Sequence, residues 1–513
     1  MNPYPLTGQE HAPPKARPRP GGPQPSLPAI LFLLWALLIP LFEAEVLINA
    51  DGDPARHLRH GETILSTGDV IRHDTFSFTR PGASFVGFEY GAQLLLTIAH
   101  RLGGVAGMVV LVSLVIAGTL GGLTAWLLRR GLDPLLTTVT VTLTAMLTNI
   151  HWLARPHVFS WPLMLLLLSL LERERRPPLW VFGLLFAAWA NLHGAFVFGW
   201  LMIGIYLTGH LLESSSCYSD TERSRERHKA LELVPVLAVS LLTTLLNPYG
   251  WLLPWHVVEF FRDPWLRTLT QEFNSPNFQS ADLWLFLAAL LATMLLLALR
   301  RRPHWTHLLA IVGTVAMGLM SQRNIVQFGL LAVPLLALHW GLAWDEIIGR
   351  RPFAKRFAFM ARTGATTPYV VVTVALLGLL AYGRGRVGSV EVIPDQFNPG
   401  RFPVAAVAEA RSEHLEGRLF HEFTWGGYLL WAWPEQRVFI DGGSDFYGGN
   451  LLRAYRHVVN VQPGWRDSLD TWRIDLVLVR SSGAIAGELM REPAWRSWYA
   501  DSTATIFRRT MAP

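Results

Sequence analysis

The chain has 513 residues, 51% of them apolar and only 16% charged, against roughly 25% charged residues in ordinary soluble domains, which argues against a fully cytosolic enzyme. That richness in aliphatic and aromatic residues also excludes a disordered chain. A single cysteine, Cys217, excludes a disulfide framework and any thiolate metal cluster built from this chain alone.

Residues 1–27 are rich in proline and predict a flexible leader. Eleven apolar runs follow: Pro28–Ile48, Val105–Leu128, Pro134–Trp152, Val158–Leu171, Leu179–Ala190, Gly194–Leu212, Leu231–Leu246, Leu283–Leu299, Trp305–Met320, Ile325–Trp340 and Pro368–Tyr382. At 1.5 Å per residue, Val105–Leu128 is long enough to cross a hydrocarbon core of ~30 Å. The expectation is a mainly α multi-pass membrane protein with about 11 transmembrane helices across residues 28–383. Pro28–Ile48 reads as a retained anchor, because no small-residue cleavage pattern follows it. With the N-terminus in the cytoplasm, alternate loops place roughly twice as many Arg and Lys inside as outside, the bias of the positive-inside rule. The net charge of +6 is therefore a topology signal, and no nucleic-acid partner is needed to explain it.

The first outer loop, residues 49–104, is long and polar, with helical periodicity over Asp53–Leu65 and Phe88–Leu102. The charged inside loop Glu213–Ala230 reads as a solvated connector. Residues 384–513 change character to a soluble α/β domain, placed outside by an odd number of spans. Helices are expected at Val404–Leu415, Tyr428–Trp433, Leu451–Val459 and Ala484–Arg491. Strands are expected at Arg418–His421, Arg437–Asp441, Leu476–Arg480 and near Thr503–Arg508.

Polar motifs crowd the outer ends of the spans. Asp51-Gly52-Asp53 with Arg56 and His57 follows the first span, and Arg155-Pro156-His157 joins the third and fourth. Asn191-Leu192-His193-Gly194, Asn247-Pro248-Tyr249-Gly250, Gln271-Glu272-Phe273-Asn274 and Ser321-Gln322-Arg323-Asn324 occupy later outer ends. Ionisable groups are costly within a bilayer and face cavities or partners, so these motifs predict one polar outer cavity. A carboxylate there can take the proton of a hydroxyl as its oxygen attacks a sugar carbon. Arginine and histidine can hold a phosphate and the charge that develops as it leaves.

The order of a first span, an acidic outer loop with Asp51-x-Asp53-x-x-x-His57-Leu58-x-x-Gly61, many spans and an outer C-terminal domain resembles the GT-C superfamily of integral-membrane glycosyltransferases. Ile71-Arg72-His73-Asp74-Thr75-Phe76-Ser77-Phe78-Thr79 with Phe88-Glu89-Tyr90 looks like the rest of that loop in bacterial members. Asn191–Gly194, Asn247–Gly250, Gly427-Tyr428-Leu429 and Val438-Phe439-Ile440-Asp441-Gly442 are similar to other stretches of them. Arg56 and Glu89-Tyr90 stand where such proteins often carry Trp and Glu-Trp. The resemblance implies transfer of a sugar from a polyprenyl-phosphate-linked donor to an acceptor hydroxyl at the outer face of the cell membrane, and in-line attack predicts inversion at the anomeric carbon. Asp53 is the first match for the catalytic or metal-site aspartate and Asp51 the second. Arg155, His157, His193 and Arg323 are candidates for the donor phosphate, and His57, Glu89 and Glu272 for the acceptor or a metal. Membrane lipids are implied partners; the acceptor and any cofactor stay open, a divalent cation among them.

Plainer roles stand beside these. Asp53 can cap a helix whose first position is Pro54. Arg155, His157 and Arg323 can anchor span ends by snorkelling. His193 can be satisfied within the bundle, and loop solvation accounts equally for Glu89 and Glu272. His60 and His73 read as loop residues, Asp441-Gly442-Gly443 as a tight turn. Gly426-Gly427 lacks the spacing of a dinucleotide fingerprint. The rival functions are a transporter or flippase, which would place polar breaks on both faces, and a non-catalytic assembly protein on a GT-C-like scaffold.

Overall fold

Ser26 opens the first helix, α1 (Leu27–Phe42): its hydroxyl accepts the Ala29 N–H at 3.4 Å, and Pro28 sits in the first turn. The computed structural model describes residues 24–262, 271–299, 302–362 and 364–510; most of the proline-rich leader, Arg267, Arg300 and Arg301 lie outside them. The run expected as one span to Ile48 breaks at Glu43, and a short α2 (Ala44–Asn49) carries the chain to α3 (Asp53–Thr67).

The long helix α4 (Tyr90–Arg129) joins two segments expected separately, the loop helix Phe88–Leu102 and the span Val105–Leu128. They meet at a kink over Gly103 and Gly104, the latter at φ +63°. A Cβ on Gly104 would lie 2.1 Å from Asp395 Oδ1, so backbone freedom and close approach both require glycine there. α5 (Pro134–Thr148), α6 (Ser160–Leu171), α7 (Leu179–Leu192) and α8 (Phe196–Ser216) follow, several ending in tight turns that carry the polar motifs.

α9 (Asp220–Thr243) corrects the reading of Glu213–Ala230 as a solvated connector: the helix starts inside it, and Glu226 is buried. α10 (Leu252–Arg262) had no counterpart among the apolar runs, because its register mixes Leu and Val with His256 and Glu259. Among the described residues four helices are long and apolar enough to cross a membrane: Tyr90–Arg129, Phe196–Ser216, Ala281–Leu299 and Gln322–Gly349. Shorter apolar helices, including Leu179–Leu192, Trp305–Met320 and Thr367–Tyr382, flank them. Exposed Leu242, Met294 and Leu379 face outward, as lipid-facing positions do.

The C-terminal region pairs a small hairpin, β1 (Arg386–Val387) and β2 (Val390–Glu391), with a four-stranded sheet ordered β3-β4-β6-β5. β3 (Leu419–His421) and β4 (Leu476–Arg480) run parallel; β6 (Ala504–Arg509) is antiparallel to β4 and to β5 (Trp495–Ala500). Two strand expectations need correction. Arg437–Asp441 joins no sheet; Val438 instead makes an isolated bridge to Ser77 of the first loop. β5 escaped the sequence pattern because it is an edge strand with only Trp495 buried.

Close glycine contacts bring the C-terminal region onto α3. A Cβ on Gly427, at the start of the helix Gly426–Ala432, would lie 2.1 Å from the Gly52 carbonyl oxygen; one on Gly426 would lie 2.2 Å from that of Ile440. The paired glycines serve close packing.

Candidate active site

The start of α3 sets two carboxylates side by side. Asp51 Oδ1 accepts the Asp53 N–H at 2.9 Å, and the N-cap position itself is Gly52. The expected capping role of Asp53 thus passes to Asp51, and the Asp53 carboxylate is left to side-chain partners. Its Oδ1 accepts from Arg56 Nε at 3.3 Å, one turn along the helix.

Arg155 reaches this pair from the turn before α6. Its guanidinium is paired with Asp51, stands 3.3 Å from Asp53 Oδ2 and donates to Glu272 Oε1 at 3.0 Å. Three carboxylates, two from the first loop and Glu272 from a distant segment, therefore share one cation whose side chain is 17% exposed. Its Nε–H is buried and has no acceptor among the described residues. His151 adds a nitrogen 3.8 Å from Glu272 Oε2.

Glu89 forms a second centre. Its carboxylate stands 4.0 Å from Arg56 Nη2, 3.7 Å from His57 Nδ1 and 3.9 Å from His193 Nε2. No side chain among the described residues comes close enough to hydrogen-bond it, and burial pushes its carboxyl up to about 7. Gln93 Nε2 lies 3.4 Å from both His57 Nδ1 and His60 Nδ1. Burial holds both imidazoles well below their ordinary range, so they are neutral. His60 is no loop residue but a buried position of α3, packed against Phe76 and Phe85.

His193 is oriented from behind. Trp189 Nε1 donates to Ser160 Oγ at 2.9 Å, which leaves the Ser160 hydroxyl proton for His193 Nδ1, also 2.9 Å away. With Nδ1 accepting, the proton of the neutral ring sits on Nε2 and points toward Glu89. His157 differs from its neighbours: its Nε2 faces the His151 carbonyl at 2.8 Å, so that nitrogen buttresses the turn. Arg323 stacks 4.6 Å over the Phe273 ring, beside Glu272, and forms no ion pair among the described residues.

The C-terminal region completes the wall. Asp441 accepts from Gly443 N–H at 2.7 Å and from the Tyr447 hydroxyl at 2.9 Å, and Oδ1 lies 4.0 Å from Arg56 Nε. The expected tight turn is present, but its aspartate also faces the cluster. Asp445 pairs with His256 of α10 at 2.9 Å, which keeps its carboxyl below the usual range against burial. Sequence reasoning named neither Asp445, Ser160, Gln93 nor His151; only proximity in space marks them. The motifs Asn191–Gly194 and Asn247–Gly250 act largely as braces: the Tyr249 hydroxyl donates to the Ile71 carbonyl at 2.8 Å, and Asn191 Nδ2 to that of Leu246 at 2.8 Å.

A divalent cation does not fit between Asp51, Asp53 and His57 as they stand. Arg155 fills the space beside the two aspartates, and His57 turns Nδ1 toward Gln93 and Glu89. The guanidinium supplies there the positive charge that a metal would bring.

No known family model and no curated protein matches the sequence. Among solved structures, the archaeal oligosaccharyltransferase AglB from Archaeoglobus fulgidus, in complex with an inhibitory peptide and a dolichol-phosphate, superposes with a TM-score of 0.53 at 12% identity. The match covers 88% of this chain and 69% of that one. The apo form of the Archaeoglobus fulgidus oligosaccharyltransferase gives 0.53 at 13% identity over the same shares. ArnT from Cupriavidus metallidurans bound to undecaprenyl phosphate aligns over 93% of this chain and 97% of its own at 14% identity, with a TM-score of 0.48. Identities this low speak to architecture alone. The chain shares the fold of the archaeal oligosaccharyltransferase, in line with the GT-C resemblance of its first loop.

Proposed function

We propose that this chain transfers a sugar from a polyprenyl-phosphate-linked donor to an acceptor hydroxyl at the outer face of the cell membrane, with inversion at the anomeric carbon. The observation that carries the reading is Arg155, gripped by three carboxylates yet keeping a buried Nε–H without an acceptor among the described residues. A phosphate oxygen fits that donor and competes with the carboxylates for the same guanidinium. Donor binding then draws Arg155 from Asp53 and uncovers the base only when substrate is present.

Asp53 takes the acceptor's hydroxyl proton as that oxygen attacks the anomeric carbon opposite the phosphate. The carbon–oxygen bond to phosphate breaks, and its electron pair leaves with the polyprenyl phosphate. Arg155, Arg323 and the Nε2–H of His193 stabilise the charge that develops. Asp51 fixes the start of α3, and His57, Glu89 and Glu272 shape the acceptor side. The dolichol-phosphate held by the archaeal structure supports a prenyl-phosphate donor here. The same reading has about eleven spans within residues 28–383, a cytoplasmic N-terminus and an extracytoplasmic α/β domain over residues 384–513.

The test begins with mass spectrometry of lipids that copurify with detergent-extracted protein, where a polyprenyl phosphate is expected. With that lipid as sugar carrier, Asp53→Asn lowers transfer by about 100- to 10,000-fold, the range for a lost general base. Unchanged turnover in folded Asp53→Asn protein removes that residue from the reaction. Absence of any prenyl phosphate from active preparations overturns the donor class.

A further inference from the structure

The far end of the helix bundle carries a second cluster of ionisable groups that sugar transfer does not use. His210 lies about 20 Å along α8 from Phe196, at 1.5 Å per residue, and so well away from His193. Its Nδ1 is 2.6 Å from Glu226 Oε2 of α9, and His304 Nε2 approaches the same oxygen to 3.2 Å from just before the helix Trp305–Met320. The three donor atoms all lie within 4.8 Å of one another, with His210 and Glu226 buried. Glu213 Oε2 stands 3.8 Å from His304 Nε2.

We propose that His210, Glu226 and His304 form a zinc site. Two imidazole nitrogens and one carboxylate oxygen are a donor set suited to Zn²⁺ at bond lengths of roughly 2.0–2.2 Å, with Glu213 or water in the fourth position of a tetrahedron. The surrounding groups already support it. Thr306 Oγ1 lies 2.8 Å from His304 Nδ1 and can accept its proton, which turns the Nε2 lone pair to the ion. Lys229 Nζ occupies the other oxygen of Glu226 at 2.7 Å and leaves Oε2 to coordinate. Arg302 Nη1 at 2.9 Å and the Trp305 N–H at 3.0 Å both donate to Glu213 Oε2, the oxygen facing His304, which favours water in the fourth position.

The Thr306 N–H, 3.2 Å from His304 Nδ1, favours the opposite tautomer in the ion-free state. Loading therefore moves a proton between the two ring nitrogens of His304. With neutral imidazoles and an ionised carboxylate, no net proton need be released. The ion would tie α8, α9 and the helix Trp305–Met320 together at one point. This inference rests on none of the groups proposed for sugar transfer and stands or falls separately.

Untagged full-length protein in detergent, dialysed against micromolar zinc and then gel-filtered, is expected to carry one zinc per chain by mass spectrometry. His304→Ala and His210→Ala are expected to lose it while eluting as wild type. Thr306→Val weakens binding roughly tenfold, the effect of a lost supporting hydrogen bond. Cobalt substitution checks the geometry directly, through the visible absorption of a tetrahedral nitrogen–oxygen site in wild type that is absent from His304→Ala. Less than a tenth of an equivalent of zinc in folded wild type, or full zinc and an unchanged cobalt spectrum in both histidine variants, overturns the proposal.

Discussion

Gly442 backs directly onto Asp53: a Cβ built on this glycine would lie 1.9 Å from Asp53 Oδ1. The C-terminal region thus closes on the first-loop aspartate with no room for a single added carbon. Gly442→Ala must push the Asp53 carboxylate off Arg56, Arg155 or both. Sugar transfer is expected to fall at least ~100-fold, as displacement of a reacting group by about an ångström does. The melting temperature should move far less, because the Asp441–Tyr447 and Asp441–Gly443 hydrogen bonds remain. Transfer at wild-type rate would show that the carboxylate's position is irrelevant to the reaction.

Arg155 offers a stability test independent of chemistry. Its removal leaves Asp51, Asp53 and Glu272 facing one another with little solvent to separate them. Breaking a largely buried ion pair from one side costs about 3–5 kcal/mol, most of it the unpaired charge left behind. Arg155→Ala should therefore be strongly destabilised at neutral pH. Arg155→Ala with Glu272→Gln should recover part of the loss, since the second change removes one of the stranded charges. Thermal melts of the two variants against wild type decide it; a double variant less stable than the single one would contradict the shared-cation arrangement.

How much of this was legible in the chain follows from what each signal depends on. Trp305–Met320 and Leu476–Arg480 were read to the residue, because a continuous apolar run bounded by polar residues needs no partner to declare itself. The two legs of α4 were legible, but not their union, since a kink carried by two glycines looks like a break. Asp51, Asp53, Arg155 and Glu272 were named from their clustering at span ends, and they do meet. The network around them was not legible. Ser160 opens an apolar helix and Gln93 lies beside an alanine, and only the fold brings them to His193 and His57. The charged segment before Ala230 misled for the opposite reason: composition reports solvation, and it cannot show that Glu226 turns inward to two histidines.

Glu89 predicts a pH dependence with a defined sign. Its carboxyl titrates near 7 in the folded protein against an ordinary 4.5, so between those values the native state holds a proton that the unfolded chain has released. Stability must then fall as pH rises from about 4.5 to 7, by roughly 3 kcal/mol if this group acted alone. Glu89→Gln keeps the shape of the neutral acid and cannot ionise. Its melting temperature is expected to match wild type near pH 5 and to exceed it at pH 8. Curves that stay parallel across this range would mean that Glu89 is ionised throughout.

The orientation of His193 depends on a hydroxyl that touches none of the carboxylates. Ser160 receives the Trp189 indole N–H and passes its own proton to His193 Nδ1, which fixes the other ring nitrogen as the donor facing Glu89. Ser160→Ala strands the indole in a buried setting, at a cost of about 1–3 kcal/mol, and leaves Nδ1 with only the Ala195 N–H, 3.3 Å away. It also frees the imidazole to take the other tautomer, which would turn a lone pair toward the carboxylate. Transfer should therefore fall more than stability alone explains. ¹⁵N chemical shifts of selectively labelled histidine report the tautomer directly: Nε2–H in wild type, a mixture in Ser160→Ala. Ser160→Thr restores the hydroxyl and, where the added methyl fits, should recover the wild-type shift. A wild-type tautomer in Ser160→Ala would assign the orientation of the ring to the Ala195 N–H, 3.3 Å from Nδ1, instead of to the serine.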